Sequence, residues 1–209
     1  MNPAERYAEV FKKYLPLPFV SFVSSLLLHS NVHFKIVKGR STKLGDFRPT
    51  NKAGKPQITV NGNLNPYSFL VTTLHEFAHW QTFDQFGMRA APHGVEWKMH
   101  FSKLIGQIID EPTLPDDLRN APIRSLHNPK ASSCNDLQLS RVLQRYNRII
   151  DEGDLLENLP KNTIFVLNNR YFQKGNKRRT RFECKEISSG KMYLVHVLAK
   201  VTPINNDEK

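Results

Sequence analysis

The chain has 209 residues, 39% of them hydrophobic and 23% charged, which is the composition of a globular protein with length for one ordinary domain or a domain plus an appendage. Its longest apolar stretch, FVSFVSSLLL (19–28), is too short to span a bilayer, which excludes a helical membrane protein. Two isolated cysteines, Cys134 and Cys184, exclude a disulfide framework and a cysteine-ligated zinc ribbon.

The net charge is +11, and it is unevenly placed. Residues 161–200 hold ten Lys and Arg against Glu183 and Glu186, a net of +8, whereas residues 111–160 carry a net of −2. A basic module behind a slightly acidic connector points to a polyanion partner, nucleic acid first. The competing reading is a solvated basic surface. The N-terminal MNPAERYAEVFKK lacks the basic-then-apolar layout of a secretory signal, so a cytoplasmic protein is expected.

In chain order, Asn2-Pro3 opens a helix in which Tyr7, Val10, Phe11 and Tyr14 recur at helical spacing. Pro16 and Pro18 end it, and Phe19 to His29 form a second helix. VHFKIVK (32–38) alternates and reads as a strand, and residues 39–62 read as two further strands around a Gly/Asn/Lys-rich turn. Asn65-Pro66 starts the most regular helix: Phe69, Leu70, Leu74, Phe77, Ala78 and Phe83 recur at three- and four-residue intervals until Gly87. After the loop MRAAPHG comes a helix from Val95 to about Ile109. Four prolines and no sustained period mark residues 111–129 as a linker, followed by a short polar helix near Leu137–Tyr146. The last third reads as three or four strands joined by GN and SSG turns. The expected organisation is α+β over residues 1–110, a linker with a short helix over 111–160, and a small basic β module over 161–203.

The chemistry centres on HEFAH. On a helix, His75 and His79 stand one turn apart on the same face and can present both imidazoles to one ion. Glu76 lies one residue round, placed to flank the metal and to take a proton from water rather than to ligate. A catalytic zinc site keeps three protein ligands and one open position, so a third ligand is required. Two histidines and a carboxylate in a wall of Phe and Leu would otherwise be costly buried polar groups. The candidates for the third ligand are Asp84, His93, Glu96 and His100. Asp84 is turned off the ligand face. His93, in the loop where the chain folds back and just before Gly94, is the first choice; His100 is the reserve. Glu96 or His100 could instead orient a ligand imidazole. Trp97 reads as core packing.

HEFAH followed fourteen residues after His79 by HGVEW, together with KLGDFRP and QITVNGNL upstream, resembles the SprT-like metalloprotease family over roughly residues 5–110. The resemblance implies a zincin-like helical protease domain with a small β-hairpin or sheet, Zn2+ held by His75, His79 and His93, and Glu76 as general base. The family includes the Spartan proteases, which degrade proteins trapped on DNA. SprT proteins often carry a C-terminal cysteine zinc ribbon; here the basic segment RYFQKGNKRRTRF stands in its place.

In that segment Tyr171, Phe172 and Phe182 are read as the core of a small barrel rather than as base-stacking platforms. The run Lys177, Arg178, Arg179 and Arg181, at an expected hairpin tip, is read as a sequence-blind phosphate contact. Together these readings give a zinc metalloendopeptidase acting on protein substrates, DNA-associated ones included. The alternative is a nucleic-acid-binding protein whose zinc domain is structural or vestigial.

Overall fold

The computed structural model describes residues 2–40, 43–50, 54–120, 137–147 and 153–204, and over these the chain is mixed α+β. It divides into two units, Met1–Arg148 and Ile149–Lys209. Among the described residues no helix is long and apolar enough to cross a membrane. Cys134 lies outside the described residues.

The first unit opens with α1 (Pro3–Phe11), started by a reciprocal cap in which Asn2 Oδ1 accepts from the Glu5 N–H and the Glu5 carboxylate accepts from the Asn2 N–H. Phe11 is buried, whereas Tyr7 and Val10 are exposed. After α2 (Val20–Leu28) come β1 (His33–Val37), β2 (Gly45–Arg48) and β3 (Gln57–Asn61). They form one sheet in the order β1-β3-β2, with β1 parallel and β2 antiparallel to β3. β2 is therefore an edge strand.

The long helix α3 (Pro66–Phe86) begins where Asn65 Oδ1 accepts from the Ser68 N–H at 2.9 Å, with Pro66 in the first turn. Phe69, Leu70, Leu74, Phe77 and Ala78 are buried along it, against Ile58 and Val60 of β3 and Trp97, Phe101, Ile105 and Ile108 of α4 (Val95–Ile109). A helix packed between a sheet and a second helix holds its buried side chains rigidly.

The first unit continues beyond Asp110. Leu114, Leu118 of the single turn α5 (Asp116–Leu118), and Leu139 of α6 (Leu137–Gln144) all join its core. Proline-rich sequence without periodicity can still place isolated leucines in a core, and here it does so at residues that composition alone reads as linker.

The second unit is a six-stranded antiparallel sheet in the order β4-β9-β5-β6-β7-β8. Its strands are β4 (Asp154–Leu155), β5 (Ile164–Leu167), β6 (Arg170–Arg178), β7 (Arg181–Glu186), β8 (Met192–His196) and β9 (Lys200–Pro203). The strand count exceeds the expected three or four, because β4 and β9 are too short to carry a periodic signal. The expected GN turn is instead a bulge: Gly175 and Asn176 lie inside β6, where the register with β7 shifts between Lys174 and Lys177. A Cβ on Gly175 would stand 2.5 Å from the Glu183 carbonyl oxygen, so only glycine lets the two backbones approach. The chain reverses three residues later, at Arg179-Thr180, with Arg179 at a φ of 52°. The SSG turn between β7 and β8 forms as expected, closed by Gly190 N–H to Glu186 O at 2.9 Å.

Phe165, Phe172, Phe182 and Cys184 fill the core of this unit, while Tyr171 is 53% exposed. Two of the three aromatics are thus packing residues.

Candidate metal centre

His75 and His79 project from one face of α3, and the loop after Gly87 folds His93 over them. His93 holds a left-handed backbone with φ of 58°, a conformation that non-glycine residues occupy at a cost and that is concentrated at functional sites. The outcome is a triangle: the three Nε2 atoms stand 3.2 Å from one another along every side. Nitrogens bound at 2.0–2.1 Å around a tetrahedral ion stand about 3.3 Å apart, so the donor set fits one metal ion. Three imidazole nitrogens aimed at a single point cannot all satisfy one another by hydrogen bonding; a shared cation would satisfy all three.

These histidines form the metal-competent cluster; Asp84, Glu96 and His100 lie outside it. His100, the reserve candidate, has its Nε2 buried without a hydrogen-bond partner among the described residues, and its ring lies 6.3 Å from Phe86. The imidazoles rest on the fully buried Trp97, whose ring lies 4.8 Å from His75, 5.3 Å from His79 and 4.8 Å from His93. Trp97 is core packing, and it is also the floor of the site.

Burial controls the protonation of the donors. It presses His75 down to about 3, with His79 and His93 adding to the effect. It also presses His79 down to about 4, with His93 contributing, and lowers His93. All three are therefore neutral at neutral pH, the form that ligates metal.

Glu76 is 7% exposed and sits outside the ligand cluster. Burial, reinforced by the nearby Asp46, raises its carboxyl to about 8, and the Phe47 N–H, Arg40 and Lys43 counteract this in part. A cation at the three histidines would favour the ionised carboxylate. Asp46 is anchored by Lys43 and Arg48, each at 2.8 Å.

The three histidines and Glu76 line a cleft of about 530 Å³, closed on one side by Gly45, Asp46 and Phe47 of β2 and on the other by Met88 and the 90–92 loop. Gly45 packs so closely that a Cβ there would lie 2.7 Å from Glu76 Oε1 and 2.7 Å from Thr72 Cγ2. Gly45, Asp46 and Phe47 are contributors that spacing around HEFAH does not reveal, because they come from an edge strand thirty residues upstream. The signal that could have found them is Gly45 within KLGDFRP.

The basic run splits. Lys177, Arg178, Arg179 and Arg181 are all exposed around the β6–β7 turn, yet Arg178 pairs with Glu183 at 2.6 Å and Arg181 donates to the Leu194 carbonyl at 3.2 Å. Lys174 is only 4% exposed and donates to the Leu159 carbonyl, and Arg170 pairs with Glu186. The positive surface is smaller than the residue count implies. No protein-family model, characterised protein or solved structure matches the chain.

Proposed function

We propose that the protein is a zinc-dependent metalloendopeptidase of SprT-like type. The observation that carries this reading is the 3.2 Å triangle of His75, His79 and His93 with a buried, non-ligating carboxylate, Glu76, beside it. Zinc held there would supply Lewis acidity, polarising the scissile carbonyl and bringing the pKa of a water to about 7.

The remaining work falls to the chain. Glu76 accepts the proton of the attacking water and delivers it to the leaving amine nitrogen. The Phe47 N–H fixes one side of that carboxylate. β2 pairs only with β3 among the described residues, so its outer side can align an extended peptide along the cleft. A purely structural zinc site has no use for a buried carboxylate beside it, which argues against a structural role for the zinc.

Gly45→Ala is expected to displace the Glu76 carboxylate and lower kcat by about 100-fold, since a shift of about 1 Å has that effect, while zinc affinity stays unchanged. Steady-state kinetics alongside metal titration checks this; unchanged kcat in a folded variant would remove Gly45 from the site.

We further propose that the β6–β7 turn contacts DNA and brings the protease to DNA-associated proteins. Support comes from the exposed Lys177 and Arg179, together with Arg178 and Arg181. Replacing Lys177, Arg178 and Arg179 with Glu is expected to weaken DNA binding at least about tenfold and flatten its salt dependence, with cleavage of a DNA-free peptide unchanged. DNA affinity equal to wild type in a salt titration would return this turn to the solvated-surface reading.

A further inference from the structure

His75 and Glu76 border a second recess, of about 230 Å³, which runs along α3 from His75 toward the start of the helix. Its apolar walls are Leu44 before β2, Val71 of α3, and Leu139 and Leu143 of α6, together with the hydroxyls of Ser68, Thr72 and Ser140; among the described residues Glu76 is the only charged one lining it. Leu44 forms the lip and is 53% exposed, an apolar side chain left at the mouth of an apolar recess.

The far wall is held in place. Asn65 Nδ2, at the start of α3, donates to the Leu143 carbonyl at 2.8 Å and to Asn147 Oδ1 at 2.7 Å. Tyr146 packs on Tyr67 at 4.7 Å and donates its hydroxyl to Asp117. Leu139 belongs to the buried core of the unit. α6 is thus a fixed part of the first unit, and it lies beyond the stretch that carries the family resemblance.

Resting on the peptidase reading, we propose that this recess holds the side chain of the substrate residue that follows the scissile bond, and that α6 makes the enzyme select a bulky apolar residue there. The proton path supplies the direction. Glu76 delivers its proton to the leaving amine nitrogen, so that nitrogen lies within hydrogen-bond reach of Glu76. The residue carrying it is then on the Glu76 side of the cleft, where the recess opens. The three leucines and the valine gain from burying Leu, Phe or Met, and an acidic side chain would lose its water beside Glu76.

The test is a peptide series varied only at the residue after the scissile bond, cleaved by the zinc-loaded wild type, Ser140→Trp and Leu44→Trp. The two variants fill the recess from opposite walls at partly exposed positions, so one remains informative if the other misfolds. Wild type is expected to favour Leu, Phe or Met over Gly or Asp by about 10–100-fold in kcat/KM, and either Trp variant to erase that preference and turn toward Gly and Ala. As a readout independent of turnover, calorimetry on Glu76→Gln should show tighter binding of a product peptide beginning with Leu than of one beginning with Gly. Cleavage by wild type with no preference at this position, or Trp variants that are folded and keep the wild-type profile, overturns the recess and leaves the peptidase reading standing. A wild type that cleaves none of the peptides overturns the peptidase reading itself.

Discussion

Glu76→Gln is expected to bind zinc as tightly as wild type and to lose about 10²–10⁴-fold in kcat, the span that a positioned general base contributes. The side chain is nearly isosteric, so its place against Gly45 of β2 is kept and the fold should be undisturbed. Glutamine cannot accept the proton of the attacking water. The three histidines form the cluster without Glu76, so metal affinity has no reason to fall. Measuring zinc stoichiometry and peptide cleavage on the same preparation separates the two properties. Equal activity in the variant would take Glu76 out of the mechanism.

The second large effect concerns the third ligand. His93→Ala is expected to weaken zinc binding by more than about 100-fold, since even removing a group that only orients a ligand costs 10–100-fold. It leaves two donors on one helix, too few for a closed three-nitrogen set. His100→Ala is the matched control: its ring faces Phe86 outside the cluster, so zinc affinity should match wild type. The reverse pattern, with zinc lost in His100→Ala and kept in His93→Ala, would reassign the third ligand. Competition against a chromogenic chelator resolves the two constants.

These residues differ in how far sequence could reach them. His75 and His79 were legible because helical periodicity is local, and the helix around them is announced by Asn65-Pro66 at one end and Gly87 at the other. His93 was legible only as the first of several candidates. Its capture depends on a left-handed backbone that no residue pattern specifies, because histidine seldom adopts it. Gly45 and Phe47 reach Glu76 across a sheet edge, a long-range contact that leaves no periodic trace.

The same limit governs the second unit and α6. Gly175-Asn176 has the composition of a turn, but a bulge demands the same freedom, and only the pairing of β6 with β7 distinguishes them. Lys174 looks like one more surface cation until the fold buries it over Phe182, 4.0 Å from the ring centroid. Leu139 and Leu143 of α6 follow a proline-rich block, and their place beside Glu76 emerges only from tertiary packing.

The most direct test of the central claim is X-ray absorption at the zinc edge of the wild-type protein loaded with one equivalent of zinc, paired with cleavage before and after chelation. The account predicts one zinc per chain with three imidazole nitrogens at about 2.0–2.1 Å, and proteolysis that chelation removes and zinc restores. A folded wild-type protein that takes up no zinc, or that cleaves equally well without it, would contradict the account.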